Sequence, residues 1–318
     1  MQIADPNVIL SLKGLRKSYG NLVAVKDLSL DVRRGEILGL LGPNGAGKTT
    51  TIHMICGLLR SDAGDVVVDG RSIEDDYRGC KQLIGLCPQD LVIWDSLTCM
   101  EQLEFVGRQY DIDRHSAWKR ADELLDVLGL KDERNRLAAT LSGGMKRRLN
   151  IALALVHEPR ILILDEPQAG LDPQSRVLVR DYIKSLRTET TVVLTTHDMD
   201  EADQLSDRVA IIDHGCLLEL DTPDGLKNRI GAGDVLGIRI SNGQEEKLDR
   251  LLGDLPESLR NLICQDGMLR LVASDTMDTL PTVFTELRNN GLEVEDVSIR
   301  KKTLEDVFIA LTGRRLRE

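Results

Sequence analysis

The stretch of this chain that decides its fold reads Gly42-Pro43-Asn44-Gly45-Ala46-Gly47-Lys48-Thr49. It matches the pattern G-x-x-x-x-G-K-[ST] of a P-loop, in which backbone N–H groups cradle phosphates. The apolar residues 35–41 before it suit a strand, and residues 50–59 after it suit a helix. A P-loop needs a strand and a helix at its two ends. The sequence therefore predicts an α/β P-loop NTPase fold with a nucleotide site at this loop.

The residue types of the loop each have an expected part in binding. Glycine tolerates backbone conformations closed to other residues, which brings N–H groups within reach of phosphate oxygens. Lys48 is expected to neutralise the β and γ phosphates, and the Thr49 hydroxyl to bind Mg²⁺. The start of the following helix adds the positive end of its dipole. The candidate nucleotide-binding residues here are Gly42, Pro43, Asn44, Gly45, Ala46, Gly47, Lys48, Thr49 and Thr50.

Composition narrows the classes of protein to consider. The chain has 318 residues, 42% of them hydrophobic, and 41 basic against 52 acidic residues give a net charge of −11. An acidic balance argues against nucleic acid as a partner, because proteins that bind it carry a basic face. The six cysteines show no C-x-x-C pair, so a reducing cytosol is expected. No apolar stretch approaches 18 residues, and the chain itself is not expected to cross a membrane.

The order of patterns predicts two domains. Alternating apolar residues over 8–32 indicate antiparallel strands, and residues 90–160 indicate an inserted helical subdomain. Uninterrupted apolar runs at 161–164 and 191–194 suit a parallel sheet buried on both faces. The linker is expected at 231–233, so the domains are 1–230 and a small α+β domain at 231–318, with one of its helices around 245–252.

Polar residues follow several of the predicted strands. Asp165 and Glu166 end one apolar strand, and His197 ends another. Carboxylates at the carboxyl end of a strand beside a P-loop can hold Mg²⁺ and orient or deprotonate water. His197 can bond the γ-phosphate, although a lone histidine is more often structural. Gln89 follows a shorter strand and can bind Mg²⁺ or water through its amide.

A second anion-binding surface is expected at Ser142-Gly143-Gly144. Ser142 is a natural N-cap, and the two glycines leave N–H groups open at the positive end of a helix. Taken without other motifs, an ordinary capped helix explains the same residues.

Together and in this order, these motifs resemble the ATP-binding subunit of ABC transporters. The resemblance covers residues 8–229 and includes Ala169-Gly170-Leu171-Asp172. It implies ATP and Mg²⁺ as cofactors and an ATPase reaction coupled to transport. It implies that Glu166 is the catalytic carboxylate, with Lys48, Gln89 and His197 also catalytic. It also implies that Thr49, Gln89 and Asp165 bind the metal and that Tyr19 stacks on adenine, although Tyr19 could instead anchor a strand end.

In that family two copies face head to tail. The resemblance implies that Ser142, Gly143 and Gly144 of one copy close over the ATP of the other, with Asp172 across the interface. It also implies a separate integral membrane permease, which docks on a surface that includes Trp94, and a peripheral location on the cytoplasmic face of the cell membrane. Trp94 could equally belong to the core.

Two departures from the commonest family pattern are Met145 and Gln168, neither of which replaces a group assigned to chemistry. Met145 and the ending 300–308 resemble the branch of daunorubicin/doxorubicin-resistance and nodulation-factor export ATPases. This implies export of a small molecule or lipid-linked compound that the chain does not contact directly.

Two other functions remain open from the sequence. One is a soluble ABC ATPase acting on ribosomes or DNA, which recovery with those partners and never with membranes would favour. The other is a small-molecule kinase, a function in which residues 142–144 and His197 would have no role. For residues after 233, dimer support or regulation is the hypothesis.

Overall fold

The computed structural model describes residues 5–187, 189–231, 233–240, 263–265, 268–273 and 276–313. The chain divides into two compact units, 1–222 and 223–318. The sequence placed this division at 230/231. It falls earlier because the helix Pro223–Arg229 packs against Leu304–Thr312, within the second unit. The predicted helix around 245–252 lies outside the described residues.

The first unit contains ten strands and seven helices among its described residues. The strands are β1 (Val8–Tyr19), β2 (Leu22–Arg33), β3 (Ile37–Leu41), β4 (Ala63–Val68), β5 (Arg71–Ser72), β6 (Ile84–Cys87), β7 (Ile161–Asp165), β8 (Thr191–Thr196), β9 (Arg208–Asp213) and β10 (Cys216–Asp221). The helices are α1 (Lys48–Ile55), α2 (Tyr77–Leu83), α3 (Cys99–Gln109), α4 (Arg114–Val127), α5 (Gly143–Leu155), α6 (Pro173–Ser185) and α7 (Met199–Leu205).

These strands form two sheets. The order β2-β1-β4-β5 makes an antiparallel sheet, and β10-β9-β3-β8-β7-β6 makes a second sheet that is parallel except for the β9-β10 pair. This confirms the predicted α/β P-loop architecture, with α3, α4 and α5 as the inserted helices between β6 and β7. The carboxyl ends of β3, β7 and β8 lie side by side, which is where ligands bind in such sheets.

Strand β7 explains why its sequence is apolar throughout. Leu162 and Leu164 pack into one core together with residues of α3, α4 and α5. Ile161 and Ile163 point to the other face and pack into a core shared with α1 and the antiparallel sheet. A strand buried on both faces has no position for a polar side chain until it ends at Asp165.

The second unit contains α8 (Pro223–Arg229), β11 (Asp234–Ile240), β12 (Ile263–Gln265), β13 (Met268–Ala273), α9 (Thr276–Asn289), β14 (Val294–Arg300) and α10 (Leu304–Thr312) among its described residues. Its sheet is antiparallel in the order β12-β13-β11-β14. Leu236 and Ile238 of β11 pack against Val283 and Leu287 of α9 to form its core. No helix among the described residues of the chain is long and apolar enough to cross a membrane.

Candidate functional site: a P-loop and two strand ends

The P-loop residues 42–49 join β3 to α1, and their glycines are required by geometry. A Cβ on Gly42 would lie 2.2 Å from the Ile212 carbonyl oxygen. Gly47 is the N-cap of α1 with φ 101°, and a Cβ there would lie 2.5 Å from the Ala24 oxygen. Gly45 has φ 80° and open space around it. The loop is therefore pinned at two points and open at its tip, where an anion can approach backbone N–H groups.

Lys48 holds a buried positive charge inside this loop. Its Nζ donates hydrogen bonds to the carbonyl oxygens of Gly42 at 2.7 Å and Pro43 at 3.0 Å. Burial lowers the pKa of the Lys48 ammonium, while the charges of Glu166 and Asp165 oppose that shift. An arriving phosphate would relieve this desolvation cost by adding negative charge beside the cation.

Asp165 and Glu166 are fixed by the neighbouring strand β8. Thr195 donates its hydroxyl to Asp165 Oδ1, and Asp165 is only 2% exposed. The Glu166 N–H donates to Thr195, reaching its carbonyl oxygen at 3.2 Å and its Oγ1 at 3.1 Å. Glu166 has a φ of 49°, which is uncommon for a residue with a side chain. The chain turns sharply after β7, and the two carboxylates are held at the sheet edge.

Glu166, His197 and Gln89 form one hydrogen-bonded cluster. His197 Nδ1 lies 2.8 Å from Glu166 Oε1, and Gln89 Nε2 donates to Glu166 Oε2 at 3.4 Å. The side chain of His197 is 49% exposed, whereas that of Glu166 is 11% exposed. The structure thus brings together the residues that the sequence placed at three separate strand ends. Such a carboxylate can accept a proton from water, and the imidazole can orient it.

Arg147 is a residue of this site that sequence reasoning missed. From the first turns of α5 it donates to five backbone oxygens, those of Pro88, Gln89, Asp165, Glu166 and Pro167, at 2.5 to 3.2 Å. It is 3% exposed. One guanidinium therefore joins the loop that carries Gln89 to the loop that carries Glu166. The only sequence signal was the first of two arginines that follow the two glycines, which does not indicate where its side chain points.

Residues 142–144 begin α5 as predicted. The Ser142 hydroxyl accepts a hydrogen bond from the Met145 N–H at 3.2 Å, and a Cβ on Gly143 would meet open space. A Cβ on Gly144 would lie 3.4 Å from Asp172 Oδ2, so Asp172 lies beside this segment of its own chain. In the described part of the chain, no hydrogen bond joins residues 142–144 to the P-loop.

Asp172 is the N-cap of α6. Its carboxylate accepts hydrogen bonds from the N–H and hydroxyl of Ser175, at 2.9 and 2.7 Å. These bonds lower the pKa of the Asp172 carboxyl, with the Ser175 backbone bond the larger cause. Asp172 therefore stays ionised at the exposed start of the helix.

Tyr19 ends β1, is 50% exposed and pairs with Leu22 across the turn. Two residues further along β2, the Ala24 carbonyl makes the close approach to Gly47 described above. The hairpin that carries Tyr19 thus runs past the P-loop.

Trp94 lies on the surface rather than in the core. Its ring is 41% exposed and packs edge to face against Phe105 of α3, with ring centres 5.5 Å apart. The backbone N–H of Trp94 donates to Gln102 Oε1 at 2.9 Å. Phe105 is itself 48% exposed, so the pair forms an exposed apolar patch.

The chain is similar to known proteins. Residues 25–169 match the model of a family described as ABC transporter. The chain is 40% identical to the daunorubicin/doxorubicin resistance ATP-binding protein DrrA of Streptomyces peucetius, over 97% of this chain and 94% of that protein. It is 35% identical to the Nod factor export ATP-binding protein I of Ralstonia nicotianae, over 98% and 95%.

A solved structure is similar as well. The dimeric, post-hydrolysis structure of the ATP-binding cassette MJ0796 bound to ADP and Pi has a TM-score of 0.63 and 28% identity, covering 67% of this chain and 98% of that one.

Proposed function

This chain belongs to the ABC transporter family as an ATP-binding and ATP-hydrolysing subunit, and we propose that it energises export through a separate membrane-spanning permease. Two relatives are named for drug resistance and for export, which supports export over import. Their similarity extends over nearly the whole chain, including the second unit, so it is not limited to the nucleotide-binding motifs. The exported compound is expected to contact the permease rather than this chain.

One observation carries the chemical part of the proposal. The Glu166 carboxylate is bonded by His197 and Gln89 at the same sheet edge as the buried Lys48 ammonium. Backbone N–H groups of the P-loop after Pro43, together with the Lys48 ammonium, bind the β and γ phosphates. Glu166 then accepts a proton from the attacking water, and His197 holds the carboxylate while its exposed ring edge bonds the γ-phosphate.

The donor set fits Mg²⁺. Thr49, Asp165 and Gln89 offer hydroxyl, carboxylate and amide oxygens, the hard ligands that this ion prefers. Among the described residues no group of three His, Cys, Asp or Glu side chains could hold a metal alone. That suits an ion bound jointly with a nucleotide, since Mg²⁺ usually takes one or two carboxylates plus phosphate oxygens and water. When bound, it supplies charge neutralisation of the phosphates.

We propose that residues 142–144 bind nucleotide in a head-to-tail dimer. Their open N–H groups have no hydrogen bond to the P-loop of their own chain in the described residues, so we assign them to the ATP of a second copy. Asp172 lies beside Gly144 and is placed at the same interface. Tyr19, at the end of the hairpin that passes the P-loop, is proposed to stack on the adenine.

The surface of Trp94 and Phe105 is proposed to bind the permease, which places the chain peripherally at the cytoplasmic face of the membrane. The loop that carries Trp94 also carries Gln89, and Arg147 binds that loop to Glu166. A movement of the permease therefore has a short path to the hydrolytic carboxylate.

Glu166→Gln tests the hydrolytic assignment. The amide keeps the shape of the side chain but cannot accept the proton, so we expect ATP turnover at least 10²-fold slower with ATP binding retained. Turnover is measured as released phosphate, and binding is measured by titration with a fluorescent ATP analogue. The matched control is Glu158→Gln, a change at an exposed carboxylate with positive φ whose ion-pair partner is Arg120. Near-normal turnover of Glu166→Gln would refute the role.

Recovery from cells separates the proposal from its alternative. A chain that energises export should sediment with membranes when its permease is present. Recovery with ribosomes or DNA, and never with membranes, would favour the soluble ATPase instead.

A further inference from the structure

Strand β14 is an edge of the sheet in the second unit. It hydrogen-bonds to β11 on one side, and within the described residues no strand lies on its other side. An edge strand exposes a row of N–H and C=O groups that can pair with another strand. One large apolar side chain on it, Ile299, is 48% exposed. The edge is therefore available to a partner.

The side chain and backbone contacts show which groups point outward. The Val297 N–H is bonded by Oδ1 of the preceding Asp296, at 2.9 Å. Alternate residues of an antiparallel ladder direct their backbone N–H and C=O groups to opposite edges. The backbone groups of Val297 and Ile299 therefore point to the outer edge, and those of Ser298 point towards β11. Ser298 pairs with Gly237 of that strand.

The outward edge is complementary to itself. If two copies of β14 run antiparallel about Ser298, Val297 and the second copy's Ile299 lie opposite each other and exchange both backbone hydrogen bonds. In the same register Asp296 lies opposite Arg300 of the second copy, within β14. Glu295, the extra residue where the ladder with β11 shifts between Asp296 and Val294, lies opposite Lys301, the residue after the strand. Both charge pairs occur twice because the pairing is two-fold.

This register is favoured over its neighbours. Pairing centred on Val297 sets Glu295 opposite Ile299, and its one pair of opposite charges, Glu293 with Lys301, lies outside β14. Pairing centred on Ile299 sets Val297 opposite Lys301, which places an ammonium against an apolar side chain. Its one pair of opposite charges is Asp296 with Lys302, and Lys302 already donates to the Gly231 carbonyl oxygen at 2.6 Å. Directly opposite charges stabilise an antiparallel pair, and apolar pairs do so too.

The charged side chains of β14 and of the residue after it are exposed at least in part. Asp306 binds Arg300 through two contacts of 2.7 Å, which fixes the guanidinium at the end of the strand with part of its surface still exposed. Glu295 and Lys301 are exposed, and in the described part of the chain neither side chain forms an ion pair. No internal partner competes for them there.

We propose that the second unit binds a second copy of itself by antiparallel pairing of β14 with β14 about Ser298. The contact uses no residue of the nucleotide site and does not rest on the proposed ATP-bound dimer.

Ser298→Cys tests the register directly. In a non-hydrogen-bonded antiparallel pair the opposing Cα atoms lie about 4.5 Å apart, a distance that a disulfide spans. With full-length chain, a mild oxidant and no nucleotide, we expect crosslinked dimer to form at least tenfold faster than with Asp296→Cys. The two copies of residue 296 are separated by about 14 Å along the strands in the proposed pairing. The unchanged chain reports the background from its own cysteines. Equal rates for the two variants would overturn the proposal.

Charge exchange tests the recognition. Glu295→Lys and Lys301→Glu each set like charges opposite each other twice per dimer, so the dissociation constant measured by sedimentation should rise about five- to tenfold. The double variant Glu295→Lys/Lys301→Glu restores opposite charges and should restore association. Failure of the double variant to recover, with unchanged circular dichroism, would contradict the pairing. Because nucleotide is absent, the ATP-bound dimer can fail or succeed independently of this result.

Discussion

At the scale of single residues, Arg147 has more contacts than its sequence suggests. Its guanidinium satisfies five carbonyl oxygens in the loops that carry Gln89 and Glu166. Those oxygens are buried or partly buried, and an unsatisfied buried acceptor costs about 1–3 kcal/mol. Arg147 thus fixes the distance between two groups of the nucleotide site that lie far apart in sequence.

We expect Arg147→Ala to lower ATP turnover about tenfold, because misplacement of catalytic groups slows the reaction. We also expect it to lower the free energy of unfolding by about 3 kcal/mol. The matched control is Arg148→Ala, since Arg148 binds the carbonyl oxygens of Leu128 and Gly129 instead. Phosphate release and urea denaturation measure the two effects. Equal loss of turnover in both variants would indicate that Arg147 acts only through general stability.

Glu201 makes stability depend on pH. Burial is the largest cause that raises the pKa of its carboxyl to about 7, with smaller contributions from Asp198 and Glu166, while Thr196 and Arg176 oppose the shift. Thr196 donates its hydroxyl to Oε2 at 2.5 Å, and Oε1 is buried without a partner. The folded chain therefore favours the protonated form, and ionisation of this group weakens folding.

The sign of the effect follows from the raised pKa. Below the unfolded pKa both states are protonated, and as pH rises towards about 7 only the unfolded state loses its proton, so stability falls by roughly 3 kcal/mol. Glu201→Gln removes this titration and should be more stable than the natural chain at pH 8, with little difference at pH 4. Urea denaturation across this range measures it. Parallel curves for the two chains would contradict the assignment.

Single residues also show what the sequence could predict. Glu166 and His197 could be placed in one site because polar residues at the ends of buried parallel strands meet at one edge of the sheet. The contacts of Arg147 could not be predicted, because the pattern of a helix indicates which face is buried but not which distant loops pack on that face. The exposure of Trp94 was open for the same reason.

At the scale of elements, capping residues in the sequence indicate where the last helix begins and ends. Thr303 followed three residues later by Asp306 is a sequence pattern that predicts the start of a helix. The Thr303 N–H donates to Asp306 Oδ2 at 2.9 Å at the start of α10. Gly313 ends it with φ 72°. The helical spacing of Leu304, Val307, Phe308 and Leu311 predicts one buried face, and this prediction is wrong at Leu311. Leu311 is 41% exposed, whereas Ile309 is buried, because the helix buries more than one stripe near its middle.

The pair of Trp94 and Phe105 gives the prediction for this scale. We expect Trp94→Ala to reduce recovery of the chain with permease-containing membranes at least fivefold, because exposed aromatic anchors dominate binding at interfaces. ATP turnover of the isolated chain should stay within twofold. Trp118→Ala is the control, since Trp118 lies on α4 with a similar exposure of 44%. Equal membrane recovery of both variants would remove the docking surface.

At the scale of the whole molecule, the proposed function involves a second copy of the chain. We propose Lys48 and residues 142–144 as two anion-binding features, and no hydrogen bond joins them within the described residues of one chain. The sequence could predict this only through resemblance, because nothing in one chain's pattern says which molecule its open helix end serves. The early division at 222/223 likewise depends on packing between α8 and α10, which lie far apart in sequence.

Mixing two inactive variants tests the shared site. Lys48→Ala should lose nucleotide binding, and Ser142→Arg should block the segment that closes over the partner's ATP. A mixed dimer keeps one intact site, so an equal mixture should recover about a quarter of the natural activity if one site suffices. Phosphate release from the mixture is compared with that from each variant alone. Complete silence of the mixture would mean that each chain hydrolyses ATP by itself.

The buried thiols have a consequence for handling the molecule. Cys56, Cys80, Cys87 and Cys99 are all buried. Burial raises the pKa of Cys56 to about 12 and those of Cys87 and Cys99 to about 11. Only the thiolate attacks alkylating reagents. A maleimide dye should therefore leave these four sulfurs untouched until the first unit opens, so the chain carries its own reporter of melting.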